Sequence, residues 1–171
     1  MFVGNYGHHP NVDAARWLID DIYPRVQAAV GDARLWIVGD GPPEALESLR
    51  GGNAVEVTGR VPDASDWTRR ATVFVAPLRL GGGIRVKVLE ALAAGKAIVA
   101  TPLAVAGLDG IGGAVSVADA SEALAERVAE LLASEQDRAR LETRARAWAE
   151  RHLSGEREAS AYSELYESLR R

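Results

Sequence analysis

Between Phe2 and Val117, short apolar runs alternate about six times with segments patterned for helices. The runs cover residues 2–3, 33–38, 55–58, 72–76, 97–100 and 114–117. Strands this short and this apolar belong to a parallel sheet covered on both faces. Between them, Ala14, Trp17, Leu18, Ile22 and Val26 recur at helical spacing, with Asn11 or Asp13 placed to cap that helix. Residues 44–50 read as a short helix stopped by Gly51-Gly52, and Asp63-Ala64-Ser65-Asp66 caps another running to about Arg70. Residues 84–94 form a further helix with Gly95 as its stop. With right-handed crossovers, the pattern reads as an α/β, doubly wound, Rossmann-like sheet of about six strands, for which the expected order is 3-2-1-4-5-6.

At 171 residues the chain suits one domain, 1–171, with a proper core. From Ser121 onward it turns wholly helical, and its charge runs read as solvated helix faces. A net charge of -4 argues against broad nucleic-acid binding, because no basic tract exists to release many counterions. Cysteine is absent, which removes disulfides and thiolate metal sites. His8 and His9 are adjacent, not spaced for a helical metal site. No apolar run reaches membrane-spanning length. Met1 leads straight into Phe2-Val3-Gly4, a core strand, and this suggests a fragment cut at a domain boundary.

Chemistry concentrates after the fourth strand, in Gly81-Gly82-Gly83-Ile84-Arg85-Val86-Lys87. Three glycines let backbone approach a ligand closely. The helix behind them offers unpaired N–H groups and a positive dipole end, which together make a phosphate seat. Arg85 and Lys87 add full positive charge. Glu90, further along the same helix, suits the hydroxyls of a ribose beside that phosphate. The first strand's turn, Gly4-Asn5-Tyr6-Gly7, ends at the same edge, where open α/β sheets bind ligands. Trp17, Trp36, Trp67 and Trp148 sit at core-like spacing and read as packing.

The order and spacing of several segments resemble the donor-binding, C-terminal half of GT-B glycosyltransferases of the retaining group-1 family. They are Val3-Gly4, Leu35-Trp36-Ile37-Val38-Gly39-Asp40-Gly41-Pro42, Val57-Thr58-Gly59-Arg60-Val61, Ala76-Pro77-Leu78 and the stretch from Leu89 to Thr101. The resemblance implies retaining transfer of a hexose from a nucleotide-diphosphate sugar, a UDP- or GDP-sugar, with no metal or other cofactor. It assigns Gly59, Arg60 and Val61 to the nucleobase and Glu90 to the ribose. Gly81, Gly82, Gly83, Ile84 and Lys87 then go to the diphosphate, with Gly4 and Asn5 beside them. Arg85 becomes the catalytic charge that meets the leaving diphosphate. Two departures stand out. The first Glu of the family's Glu, seven residues, Glu signature falls on Gly82, and Asn5, Tyr6, His8 and His9 occupy the stretch where the family places phosphate-binding Arg and Lys.

The same resemblance implies an acceptor-binding N-terminal domain absent from this chain, onto which residues of about 136–171 pack back. Tyr162, Leu165, Tyr166 and Leu169 would form the apolar side of the last helix. The chain alone is then expected to bind nucleotide weakly and transfer little sugar. A cytoplasmic location follows, peripheral to the membrane face in the full-length enzyme. Other readings remain open. A non-catalytic nucleotide-sugar-binding or assembly module uses the same fold, since fold does not give function. A dinucleotide oxidoreductase needs Gly-x-Gly-x-x-Gly after the first strand, which Gly4-Asn5-Tyr6-Gly7 lacks. A sugar-nucleotide epimerase fits the fold, but the fifth-strand segment looks more like the transferases.

Overall fold

The structure, a computed structural model, describes residues 1–47 and 54–153. Six strands form two parallel three-stranded sheets. One is β1 (Phe2–Val3), β2 (Leu35–Val38) and β3 (Val55–Gly59); the other is β4 (Phe74–Ala76), β5 (Ile98–Ala100) and β6 (Ser116–Val117). Met1 joins them: its carbonyl accepts from the Val75 N–H at 2.8 Å, and its amine donates to the Val73 carbonyl at 2.8 Å. Across that seam the strands read 3-2-1-4-5-6, the expected order. Strands β2, β4, β5 and β6 begin one or two residues later than their apolar runs.

The helices flank the sheets. Helix α1 (His9–Trp17) continues through a π turn (Leu18–Ile22) into α2 (Tyr23–Ala29). Pro24 explains the wide turn: in a regular helix its ring would strike the carbonyl four residues back, and it donates no hydrogen bond. Helix α3 (Glu44–Glu47) follows β2, and α4 (Ala64–Arg70) follows β3. As expected, Asp63 caps α4, its side chain accepting from the Ser65 N–H. Helix α5 (Val86–Ala93) joins β4 to β5 and ends on Gly95 at φ +62°. The Gly95 N–H bonds the Leu92 carbonyl and the Lys96 N–H bonds that of Ala91, a Schellman ending.

A four-residue helix, α6 (Pro102–Val105), was not legible in the sequence, being too short to show periodicity. Its cap, Thr101, is buried and accepts from the Ala104 N–H. Helices α7 (Ser121–Ala133) and α8 (Glu135–His152) close the described chain. Helix α8 packs on α5 and α7. Residues 48–53 and 154–171, including the expected apolar side of the last helix, lie outside the described residues.

Phe2, Ile37, Val57, Phe74, Val88, Leu92, Ile98 and Leu124 are fully buried in one continuous core. Each such side chain contributes on the order of 1.5–3 kcal/mol through burial. Because all six strands run parallel, their carboxyl ends share one edge, and the loops after β1, β2, β3 and β4 meet the solvent there.

Candidate functional site

Two helix entries converge at that edge. Pro10 falls in the first positions of α1, where its missing N–H costs nothing, so the helix starts at His9. Asn11 and Asp13 therefore lie inside α1 and do not cap it, which corrects the sequence expectation. Pro10 was the signal that could have placed them. Asp13 instead accepts two hydrogen bonds from the Arg79 guanidinium, at 2.7 and 3.1 Å, and Arg79 lies 4.5 Å from the Trp17 ring centre. That pair ties α1 to the start of the glycine loop. Gly81 sits against Pro10, whose Cγ would be 3.3 Å from an added Cβ.

The glycine loop is exposed from Gly81 to Ile84, and Ile84 keeps 78% of its surface in solvent. Helix α5 starts later than expected, at Val86, with Arg85 as its cap residue at φ -93° and ψ 71°. Ile84 thus belongs to the loop. The Arg85 guanidinium folds back on that loop and donates to the carbonyls of Gly81, Gly82 and Gly83 at 2.9, 2.5 and 2.8 Å. Its Nε is buried without an acceptor among the described residues. Arg85 therefore shapes the turn, and Gly81 and Gly83 supply the φ of +101° and +82° that bring their carbonyls round to it. Val86 and Lys87 open the helix with N–H groups that have no helical acceptor.

Lys87 reaches from α5 to the Asn11 Oδ1, and its ammonium lies 4.5 Å from the centre of the Phe2 ring. Burial, and then the neighbouring Arg85 charge, pull its pKa from 10.5 to about 8. A half-buried ammonium next to a guanidinium, with no carboxylate paired to either among the described residues, is a local excess of positive charge. An anion is its natural complement. Glu90 is exposed on the same helix, about one turn in and about 60° around from Lys87.

The loop after β1 is built around close backbone contacts. Gly39 has φ +136°, and a Cβ there would lie 1.8 Å from the Gly4 carbonyl oxygen. A Cβ on Gly4 would meet the Asn11 side chain at 2.9 Å. Asn5 is exposed and folds its side chain onto the Gly7 N–H at 2.9 Å. Tyr6 is buried, its hydroxyl 3.3 Å from the Val38 carbonyl, and burial raises its pKa. It packs, while His8 and His9 are exposed at the start of α1.

Gly59, at φ +66°, ends β3; Arg60 is exposed and Val61 half-buried. Three strand spacings of ~4.8 Å separate β3 from β4, so this loop lies roughly 14 Å from the glycine loop along the edge. The sequence-derived residues thus fall into two groups, Gly4, Asn5, Gly81, Gly82, Gly83, Ile84, Arg85 and Lys87 at the seam, with Glu90 one turn along α5, and Gly59, Arg60 and Val61 across the edge. Asn11 joins the first group as a residue that sequence reasoning had treated as a cap. Among the described residues no group of three or more His, Asp or Glu could hold a metal ion, and no helix is long and apolar enough to cross a membrane. A cavity of about 490 Å³ opens at the opposite edge, lined by Met1, Tyr23, Trp36, Val73 and Arg138 among others, away from these groups.

A family model for group 1 glycosyl transferases matches residues 1–134. The chain belongs to the group 1 glycosyltransferases. Among solved structures, WaaG, a glycosyltransferase involved in lipopolysaccharide biosynthesis, superposes with a TM-score of 0.67 at 18% identity, covering 87% of this chain and 42% of WaaG. A glycosyltransferase from Rickettsia africae superposes with a TM-score of 0.74 at 13% identity, covering 98% of this chain and 46% of the other. Comparison with curated protein sequences finds no relative. The fold is therefore the Rossmann-like fold of GT-B glycosyltransferases, and the chain spans less than half the length of these two enzymes.

Proposed function

We propose that this group 1 glycosyltransferase domain is the C-terminal, donor-binding half of a retaining hexosyltransferase, and that it binds a nucleotide-diphosphate sugar, a UDP- or GDP-sugar. The observation that carries this reading is the meeting of Arg85, Lys87 and the exposed glycine loop at the β1–β4 seam, with Glu90 solvent-facing one turn along α5. A pyrophosphate satisfies the unpaired charge. The adjoining ribose reaches Glu90, and the base extends along the strand ends to Gly59, Arg60 and Val61.

In glycosyl transfer, the anomeric carbon gives up its bond to the diphosphate oxygen and bonds an acceptor hydroxyl oxygen, whose proton passes to the leaving diphosphate as negative charge builds on it. Groups already aimed at that charge lower the barrier. Lys87 supplies a partly desolvated ammonium, and the first N–H groups of α5 add the positive end of the helix dipole. Arg85 keeps the loop carbonyls turned toward itself and adds its charge from behind the loop. Asn5 and Gly4 border the same seam. No metal is needed for this task, and the acceptor would be held by an N-terminal domain across the cleft, with the enzyme working in the cytoplasm.

Calorimetry with UDP-, GDP- and ADP-sugars tests the reading. Binding of one of them, weakened about tenfold or more by Glu90→Ala with the fold intact, is the expected result. No binding at millimolar concentration defeats the donor-domain reading, and unchanged affinity in Glu90→Ala removes Glu90 from the site. A second reading, a binding or assembly module without catalysis, is favoured by Gly82 standing where the family's first Glu would be. Donor hydrolysis by the chain joined to an N-terminal half would rule it out.

A further inference from the structure

We infer that Asn11 is a positioning residue for Lys87, holding its ammonium at the seam between the β1 loop and α5, where the diphosphate is proposed to sit. This inference rests on the donor-domain reading for the ligand, but its geometry stands without it. The Asn11 amide is used at both ends. Its Nδ2 donates to the Asn5 carbonyl at 2.7 Å, and its Oδ1 accepts from Lys87. The two partners also settle the amide's orientation, because a carbonyl needs the NH2 side and an ammonium needs the oxygen.

Three further features fix the arrangement. Gly4 leaves the space that Asn11 fills. The Asn11 N–H bonds the His8 carbonyl at 3.0 Å, anchoring its backbone in the first turn of α1. The Phe2 ring backs the ammonium from β1. The groups facing Lys87 are thus Asn11 from α1, Phe2 from β1 and Arg85 at the head of its own helix. A neutral acceptor is what this place requires: it orients the ammonium and leaves its charge for an anion. An aspartate would spend that charge internally.

The chain's two lysines, Lys87 and Lys96, make the clamp observable. With ε-13C-lysine labelling, each gives its own resonance, and Lys96, bonded to the Arg69 carbonyl, serves as the internal control. Asn11→Asp should raise the titration midpoint of Lys87 by one unit or more, because an opposite charge in contact favours the protonated form. The Lys96 signal should stay put. In parallel, UDP and GDP affinities are measured for wild type, Asn11→Ala, Lys87→Met and the double variant, with thermal melts to confirm folding. Asn11→Ala should weaken binding roughly tenfold, and should cost nothing further in the Lys87→Met background. A full additional loss in the double variant overturns the inference, as does a Lys87 midpoint unmoved in Asn11→Asp. If wild type binds neither UDP nor GDP, the donor reading and the diphosphate half of this inference fall together, and the lysine titration alone decides the clamp.

Discussion

Lys87→Met should make the protein more stable and, on the proposed donor-binding function, weaken the binding of a nucleoside diphosphate. Burial and Arg85 hold the Lys87 pKa at about 8 against an ordinary 10.5. At ~1.4 kcal/mol per pKa unit, keeping that ammonium charged in the folded state costs about 3 kcal/mol. Methionine keeps the unbranched shape without the charge. Against that gain, the substitution strands the Asn11 Oδ1, at about 1 kcal/mol, and removes the contact with the Phe2 ring, at ~0.5–1 kcal/mol. The net expectation is a gain of about 1–2 kcal/mol near pH 7, or a rise of a few degrees in Tm.

The pH dependence gives a second check with a fixed sign. Below pH 8 the lysine is protonated in both states, and the whole cost is present. Between about 8 and 10.5 the folded protein has lost the proton while the unfolded chain still holds it. The unfolded state then binds more protons, so wild-type stability rises with pH through this window. The advantage of Lys87→Met should accordingly shrink from near pH 7 to about pH 9.5. Urea denaturation of both proteins at the two pH values measures it. A variant less stable than wild type at pH 7, or a gap that does not change with pH, would refute the argument that Lys87 is a partly desolvated charge without a carboxylate partner.

Two glycines of the same edge should behave in opposite ways. Gly39→Ala sets a Cβ 1.8 Å from the Gly4 carbonyl at a φ of +136° and should cost more than ~4 kcal/mol or abolish folding, whereas Gly82→Ala meets no atom within 4 Å and should change stability by less than ~0.5 kcal/mol in urea melts. Near-equal stabilities would show that the β1–β2 contact is not as tight as described. Thr101→Val should cost ~1–3 kcal/mol, because the buried Oγ1 that bonds the Leu78 carbonyl at 2.5 Å is lost and that carbonyl is left unpaired. A loss under ~0.5 kcal/mol in the same assay would mean water or a shifted backbone replaces the bond.

The alternating pattern of the chain sufficed for much of the fold, and the reason is local. Apolar runs and helical periodicities report on neighbours a few residues apart, and so do capping signals such as Asp63 and Gly95. The strand order was the usual one for a doubly wound sheet, since right-handed crossovers alone also allow 2-1-3-4-5. The glycine loop, its two cations and Glu90 were also visible as a sequence, because they are consecutive or one helical turn apart.

What each of those side chains does was decided only by the tertiary structure. Asn11 and Lys87 are 76 residues apart, Asp13 and Arg79 are 66 apart, and no periodicity links them. Their meeting depends on where β1 and β4 lie side by side, and so on the Met1 seam between the sheets. The same dependence turned Arg85 inward onto three carbonyls, since the loop's path past Pro10 sets where those oxygens point. Burial of the Lys87 ammonium is likewise a property of the assembled seam. A residue's type determines which hydrogen bonds and charges it can offer; its partners and its desolvation are set by distances that exist only once the chain has folded.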